Sequence, residues 1–202
     1  DGYLFFYSFL FAMSVGYPFL ETSTGSMNGN FLGLGADYAT NASVWVDASQ
    51  APGLLITNAE FTAFHNKVFA PNVSFASSQV CGLGGLRVVV SESNTGPVRF
   101  VTSSFWGPTD SVARLNGTGL VSFSSCEFVQ WDLQYHRGTP AIEVNNGSVI
   151  LQGNDFQQHG RQVVLGAAAK KAVIVGNIMT GPLNVSVASN STNVQMGFNA
   201  YD

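Results

Sequence analysis

The chain has 202 residues, of which 46% are hydrophobic and only 10% are charged, with a net charge of −4 and an isoelectric point near 5.2. This length and apolar content fit one folded domain with a sizeable core and no disordered tail. The acidic balance and the scattered lysines and arginines exclude nucleic acid as an expected partner, because that surface needs clustered basic residues.

The first twenty residues form an uncharged stretch that begins at Gly2 and is long enough to cross a membrane. The stretch is dense in aromatic residues, contains Gly16 and Pro18, and follows Asp1 rather than a basic segment. These features favour the first strands of a β-structure over a membrane span or a signal peptide. Because such a chain begins with core strands, we expect further coils of a longer protein, or neighbouring protomers, to cover the ends.

An eight-residue phrase, apolar-x-apolar-x-x-small-x-aromatic, recurs along the chain. The clearest copy is Val149, Leu151, Asn154 and Phe156, and a weak copy opens at Phe31 and closes at Ala36 and Tyr38. Other copies open at Leu54, Val98, Val121, Ala172 and Val194, and a degenerate copy is formed by Val73, Phe75, Ser78 and Val80. A fixed period with internal alternation predicts an all-β, right-handed parallel β-helix over residues 1–202, with about 7–9 coils of 21–28 residues.

Each position of the phrase has an expected place in a coil. The first, third and eighth positions point inward and stack on their equivalents in neighbouring coils. The sixth position is small or Asn, so its side chain can bond the next coil at an inward corner. The residues expected in one continuous core are Leu54, Ile56, Phe61, Phe100, Phe105, Phe123, Phe128, Leu151 and Phe156.

The chain contains two cysteines, Cys81 and Cys126. Cys126 occupies the sixth position of its copy, which predicts a buried free thiol. A disulfide between the two residues is the alternative.

Six sequons for N-linked glycosylation occur in the turns. They begin at Asn41, Asn72, Asn116, Asn146, Asn184 and Asn190. Those at Asn116, Asn146 and Asn190 are expected on one corner of successive coils, where glycans would project into solvent. The alternative is chance, because turns rich in Asn, Ser and Thr generate sequons without glycosylation.

The seventh position of the phrase points outward and carries four carboxylates, Asp37, Glu60, Glu127 and Asp155. Glu127 and Asp155 belong to successive copies, so stacking places them about one coil, ~5 Å, apart. This separation suits the carboxylate pair of a retaining glycosidase, and the two residues are the catalytic candidates.

Aromatic and basic residues follow the phrase on the same edge. The candidate substrate-binding residues are Glu60, His65, Trp106, Trp131, Asp132, Tyr135, His136, His159 and Arg161. Residues 130–140 form the longest insertion, and insertions on one side of a solenoid often build its binding face. The alternative is a solvated outer face whose aromatic residues pack under loops.

The chain resembles the C-terminal coils of secreted proteins of the pectate-lyase-like right-handed β-helix superfamily. The resemblance lies in segments 31–37, 53–61, 98–108, 126–131 and 172–177. It implies a fold, an extracellular location and an association with polysaccharides, through lyases, glycoside hydrolases, tailspikes or adhesins. The aspartate pair with Gly-His-Gly of polygalacturonases and the aspartate cluster with Arg of calcium-dependent pectate lyases are both missing, and the His159 to Arg161 segment is only a faint echo. No catalytic residue is therefore carried over, and no metal or cofactor is predicted.

Three functions remain open from the sequence. The domain could cleave a polysaccharide, as a lyase or a hydrolase, or bind a glycan without catalysis. Alternatively, it could be a structural or adhesive rod, glycosylated or not, that stacks end to end. The resemblance and the carboxylate edge favour an extracellular carbohydrate-associated domain, with polysaccharide or glycan as partner.

Overall fold

The computed structural model describes residues 3–47, 53–63, 66–68, 73–76, 78–81, 86–106, 109–133, 136–188 and 193–202. These residues form strands and turns, with no helix among them. A helix long and apolar enough to cross a membrane is accordingly not found in this part of the chain. The residues at the start of the chain form β-strands, as predicted.

The first half of the described chain contains twelve strands. They are β1 (Tyr3–Phe11), β2 (Val15–Phe19), β3 (Gly29–Ala39), β4 (Ala42–Val46), β5 (Leu54–Thr57), β6 (Glu60–Ala63), β7 (Asn66–Val68), β8 (Val73–Ala76), β9 (Gln79–Cys81), β10 (Leu86–Val90), β11 (Val98–Val101) and β12 (Ser104–Trp106).

The second half contains ten. They are β13 (Ser111–Leu115), β14 (Leu120–Ser124), β15 (Glu127–Phe128), β16 (Ile142–Gln152), β17 (Asp155–Phe156), β18 (Val163–Val175), β19 (Ile178–Met179), β20 (Val185–Val187), β21 (Val194–Gly197) and β22 (Ala200–Tyr201).

The strands stack in parallel on three faces of a β-solenoid. The first face holds the opening of each phrase, in the order β1, β3, β5, β8, β11, β14, β16, β18, β21. The second face continues from the ends of β1 and β3 through β6, β9, β12, β15, β17, β19 and β22. The third face holds β2, β4, β7, β10, β13, β20 and the first parts of β16 and β18. Among the described residues, six coils from β5 to β20 have one strand on the first face, another on the second face and a strand segment on the third. This number is slightly lower than the 7–9 coils expected.

The core is the predicted one, and all nine residues expected in it are buried in one cluster. Aromatic rings stack along the axis, with centroids 5.3 Å apart between Phe105 and Phe128 and 4.6 Å apart between Phe128 and Phe156. Successive coils are about 4.8 Å apart, which is also a favourable distance for offset ring stacking. The repeat therefore buries its aromatic residues against their own equivalents.

The sixth position forms the expected corner ladder. The side-chain amide of Asn154 donates to Asn177 Oδ1 at 2.9 Å, and that of Asn177 donates to Asn199 Oδ1 at 2.9 Å. The same Oδ1 atoms accept the backbone N–H of Asn154 and of Asn177, each at 3.0 Å. Cys126 continues the ladder, because its backbone N–H donates a hydrogen bond of 2.9 Å to Asn154 Oδ1. Its own thiol is buried and free, as predicted, and the alternative disulfide is not formed.

The fifth position turns the chain between the first and second faces, a feature that we did not predict. Every described residue at this position has a positive φ, and only three of the eight are glycine. The residues are Tyr7, Gly33, Asn58, Thr102, Ser125, Gly153, Gly176 and Phe198. The left-handed fifth residue interrupts the alternation of the strand at the corner. The side chain of the fourth residue therefore points outward and that of the sixth points inward.

The register of the first copies differs from the expectation. Gly29 pairs with Leu54 and Ala36 pairs with Phe61, so the second coil's phrase opens at Gly29 and closes at Ala36, two residues before the assigned ends. β1 supplies one more copy, in which Tyr3 pairs with Gly29 and Leu10 with Ala36. A two-residue shift keeps the alternation of inward and outward residues, which is why the pattern alone did not reveal it.

Candidate functional site

The candidate catalytic residues lie side by side on the second face. Glu127 on β15 and Asp155 on β17 are direct partners in the parallel register, about 4.8 Å apart by strand spacing. Their neighbours Phe128 and Phe156 are fully buried, so the alternation of the strand turns both carboxylates outward.

The two carboxylates have different hydrogen-bond partners. Glu127 is exposed, and its Oε2 accepts a hydrogen bond of 3.1 Å from the Ser104 hydroxyl of the preceding coil. Asp155 is half-buried, and its Oδ2 accepts a hydrogen bond of 2.8 Å from the Gln157 amide. Each carboxylate is thereby oriented by one neighbour and keeps further lone pairs for a ligand.

Glu127 and Asp155 belong to a longer outward column along the seventh position. The column contains Phe9, Gly35, Glu60, Gln79, Ser104, Glu127, Asp155, Ile178 and Ala200. Asp37 is not in it, which corrects the sequence assignment. It pairs with Phe11 and Thr62 one column further along each strand, because the second phrase opens two residues earlier than assigned.

Beside this column runs a second one, formed by the ninth position of the repeat. Phe11, Asp37, Thr62, Cys81 and Trp106 occupy it in successive coils. We call the two columns together the outer second face. No lysine or arginine lies among the residues named in them, so their charged groups are all carboxylates.

Three large aromatic side chains are exposed on the outer second face. Trp106, one of the substrate-binding candidates from the sequence, is 44% exposed, and Phe9 and Phe11 are 63% and 61% exposed. The Phe9 ring lies against Gly35 of the next coil, where an added Cβ would come within 2.5 Å of it. The sequence analysis missed Phe9 and Phe11 because it assigned no phrase to β1. The copy formed by Tyr3, Phe5, Ser8 and Leu10 would have placed them outward.

Trp131 does not lie on this face. Its side chain is completely buried and packs edge-on against Phe156, with centroids 6.1 Å apart and planes at 89°. The expected role of this indole on an open surface is therefore wrong, since it belongs to the core below the insertion.

Asp132 closes the insertion that follows Trp131. Its carboxylate accepts hydrogen bonds from the backbone N–H groups of Arg137 and Gly138, each at 2.8 Å, and from the Thr139 hydroxyl at 3.0 Å. Burial opposes ionisation of this group, but these hydrogen bonds outweigh it and lower the pKa of Asp132. Asp132 thus has a structural role in the turn.

The basic candidates are on turns beyond the outer second face. His136, His159 and Arg161 are exposed, and among the described residues no hydrogen bond or ion pair joins them to Glu127 or Asp155. The His159 ring lies close to Gly181, whose N–H donates to Asp202 at 2.6 Å. This hydrogen bond, with a smaller contribution from His159, lowers the pKa of Asp202. His65 and Tyr135 lie outside the described residues.

The sequons differ in accessibility. Asn184 is exposed, whereas Asn41, Asn116 and Asn146 are half-buried. Asn116 Oδ1 accepts a 2.9 Å hydrogen bond from the Asn145 amide, and Asn146 Oδ1 accepts one of 2.7 Å from the Gly147 N–H. Asn72 and Asn190 lie outside the described residues.

Within the part of the chain that the structure describes, no group of three or more His, Cys, Asp and Glu residues is arranged to hold a metal ion. Comparison of the chain with family models, with curated proteins and with solved structures finds no match.

Proposed function

We propose that this β-solenoid is an extracellular carbohydrate-associated domain that binds a glycan along its outer second face. The observation that carries the proposal is the alignment of exposed Phe9, Phe11 and Trp106 with Glu127 and Asp155 in two adjacent columns parallel to the axis. Flat apolar rings stack on the C–H faces of sugars, and carboxylates accept hydrogen bonds from sugar hydroxyls.

The shape of the face fits an extended ligand better than a small one. Phe11 and Trp106 are four coils apart in one column, which corresponds to about 19 Å at the strand spacing. A polymer that follows the axis could contact both rings and pass Glu127 and Asp155, which lie one and two coils beyond Trp106. The resemblance to the pectate-lyase-like superfamily supports the same class of partner.

Charge narrows the class of glycan. Glu60, Glu127 and Asp155 project from this face without a cation in its columns, so a polyuronate would be repelled. The proposed ligand is therefore a neutral or amine-bearing polysaccharide.

Binding can be tested by affinity electrophoresis in gels that contain a neutral glucan, a polymer of glucosamine or a polyuronate. Trp106→Ala should weaken retardation about tenfold, as expected for the loss of about 1–2 kcal/mol of ring stacking and buried area. Val101→Ala is the matched control, because Val101 is exposed on the first face. Equal retardation of the wild type and Trp106→Ala in every gel would contradict the proposal.

Hydrolysis is the more specific form of this proposal. One carboxyl of the Glu127 and Asp155 pair would act as the acid and the other as the nucleophile or base, as their ~5 Å spacing allows. Release of reducing sugar should then disappear in both Glu127→Gln and Asp155→Asn and persist in Glu60→Gln. If binding occurs but no product forms, the domain is a glycan-binding module without catalysis.

The second candidate is a structural or adhesive rod, glycosylated or not. It is supported by the parallel stacking of the described strands around one continuous core, which is the geometry of a rod.

A further inference from the structure

The indole N–H of Trp131 is a buried hydrogen-bond donor without an acceptor among the described residues. The side chain of Trp131 is completely buried, and its Nε1 atom has no hydrogen-bond partner in that part of the chain. An indole N–H can only donate, so burial without an acceptor costs the desolvation of the group. An oxygen atom that could reach Nε1 would therefore stabilise the indole.

A turn of the next coil lies between this nitrogen and the surface. A Cβ built on Gly160 would be 3.4 Å from Trp131 Nε1, so the turn passes directly beside the indole N–H. Gly160 is exposed and has a φ of 138°, a conformation that residues with a Cβ rarely adopt. The indole nitrogen is thus close to the surface, and the turn at Gly160 is part of its cover.

This turn is lightly attached to the rest of the stack. We call residues 158–160 the cover; they form a bend whose three backbone N–H groups make no hydrogen bond within the described chain. The chain is fixed as far as Gln157, whose N–H donates to the Phe128 carbonyl at 3.0 Å. The cover itself is attached by the side-chain amide of Gln158, which donates to the Trp131 carbonyl. A segment with so few hydrogen bonds can open at a small cost in free energy.

Trp131 is firmly held, so the cover is the part that can move. The backbone of Trp131 forms a parallel bridge with Thr109 of the preceding coil, and its ring packs edge-on against Phe156. Gln130 and Asp132, on either side of it, have left-handed φ values of 63° and 53°. Such strained residues persist only where the surrounding structure enforces them.

We propose that the cover opens locally, without unfolding of the core, and that the open form offers the Trp131 N–H to a hydroxyl oxygen of a bound glycan. The indole lies next to the outer second face, because Phe156, against which it packs, is the neighbour of Asp155 in β17. The ionised carboxylates of Glu127 and Asp155 only accept hydrogen bonds, so the indole N–H adds a donor for a sugar oxygen. This use of the open form rests on the proposed glycan binding, whereas the opening itself does not.

Hydrogen exchange followed by NMR in isotope-labelled protein tests the opening without any ligand. Trp45→Phe and Trp106→Phe assign the indole signal of Trp131 by elimination. The reference is the backbone amide of Cys126, which is buried and donates to Asn154 Oδ1. After correction for intrinsic rates, the Trp131 indole N–H should exchange at least about tenfold faster than this amide, because local opening costs less than unfolding of the core. Equal rates for the two groups would overturn the proposal.

Gln158→Ala tests which segment opens. It removes the hydrogen bond between the cover and the Trp131 carbonyl, so exchange of the Trp131 indole N–H should become about fivefold faster. Gln157→Ala is the matched control, because the Gln157 amide lies just outside the cover and donates to Asp155 instead. An unchanged indole rate in Gln158→Ala, or an equal increase in both variants, would show that the cover does not control access to Trp131.

Soluble hexamers of glucose and of glucosamine test the use of the open form. A hexamer that binds should shift the Trp106 indole signal and slow exchange of the Trp131 indole N–H at least about threefold, because a sugar oxygen then accepts this proton. A shift at Trp106 with unchanged exchange at Trp131 would overturn the role of the cover in binding but leave the proposed function intact. No change at either indole with both hexamers would overturn the proposed glycan binding together with that role, while exchange in the free protein would still decide the opening.

Discussion

The side-chain amide of Asn154 donates a hydrogen bond of 2.9 Å to the Oδ1 atom of Asn177, one coil further along the stack. Both residues are buried, with 1% and 0% exposure. Asn177 also donates to the Leu151 carbonyl at 3.1 Å, so its amide joins a side chain to the strand backbone. This ladder satisfies the polar groups that a sharp interior corner would otherwise leave unpaired.

Asn177→Ala should therefore destabilise the protein strongly. The substitution removes the acceptor of two Asn154 N–H groups and the side-chain amide that donates to the Leu151 carbonyl and to Asn199 Oδ1, which keeps only the backbone N–H of residue 177. Unsatisfied buried groups cost about 1–3 kcal/mol each, and partial relaxation leaves an expected loss of about 2–4 kcal/mol. Urea unfolding followed by circular dichroism measures it, with Asn193→Ala at an exposed position as control. Equal midpoints for the two variants would show that the ladder contributes nothing to stability.

Phe128→Ala should cost about 3–5 kcal/mol, because it leaves a cavity between two stacked rings. Phe128 is fully buried, with Phe105 and Phe156 on either side. Ile178→Ala is the control, since Ile178 faces outward and is 61% exposed. The shift in the urea midpoint should be large for the first variant and small for the second. A Phe128→Ala loss below about 1 kcal/mol would mean that the core is not closely packed.

Ser125→Gly should stabilise the protein by up to about 1 kcal/mol, because a left-handed backbone strains a residue that has a Cβ. Ser125 has a φ of 54°, and Gly153 stands at the same corner of the next coil with a φ of 64°. Ser122→Gly, in the middle of β14, should have the opposite sign and cost about 0.5–1 kcal/mol. Thermal midpoints distinguish the two. A loss of stability in both variants would refute the argument from corner strain.

Asp132 should make the insertion sensitive to acid. Its pKa is lowered in the folded state, so it contributes stability that is fully present above its unfolded pKa, about 3.9, and is lost as the pH falls through the folded pKa. Asp132→Asn should lower the thermal midpoint at pH 7, and the difference from the wild type should shrink below about pH 4. A difference that is constant from pH 7 to pH 3 would assign the effect to hydrogen bonding alone. Asp47→Asn, at an exposed position, is the control.

Much of this fold could be predicted from local patterns. Alternation places Phe123 and Phe128 inside and Glu127 outside whatever the neighbouring coil does, because successive side chains of a strand point to opposite faces. The sixth-position asparagines were also recognisable, since a buried corner needs side chains that bond its backbone. The adjacency of Glu127 and Asp155 followed from the period of the repeat.

Tertiary structure decided which positions of different coils lie opposite each other. The copy at Gly29 and the place of Asp37 depend on interstrand hydrogen bonds, because a shift of two residues leaves the alternation unchanged. The left-handed fifth position was also hidden, since Thr102 and Ser125 adopt it only where the stack over-determines the bend. Trp131 is the remaining case: its chemistry suits a binding surface as well as a core, and only packing against Phe156 placed it inside.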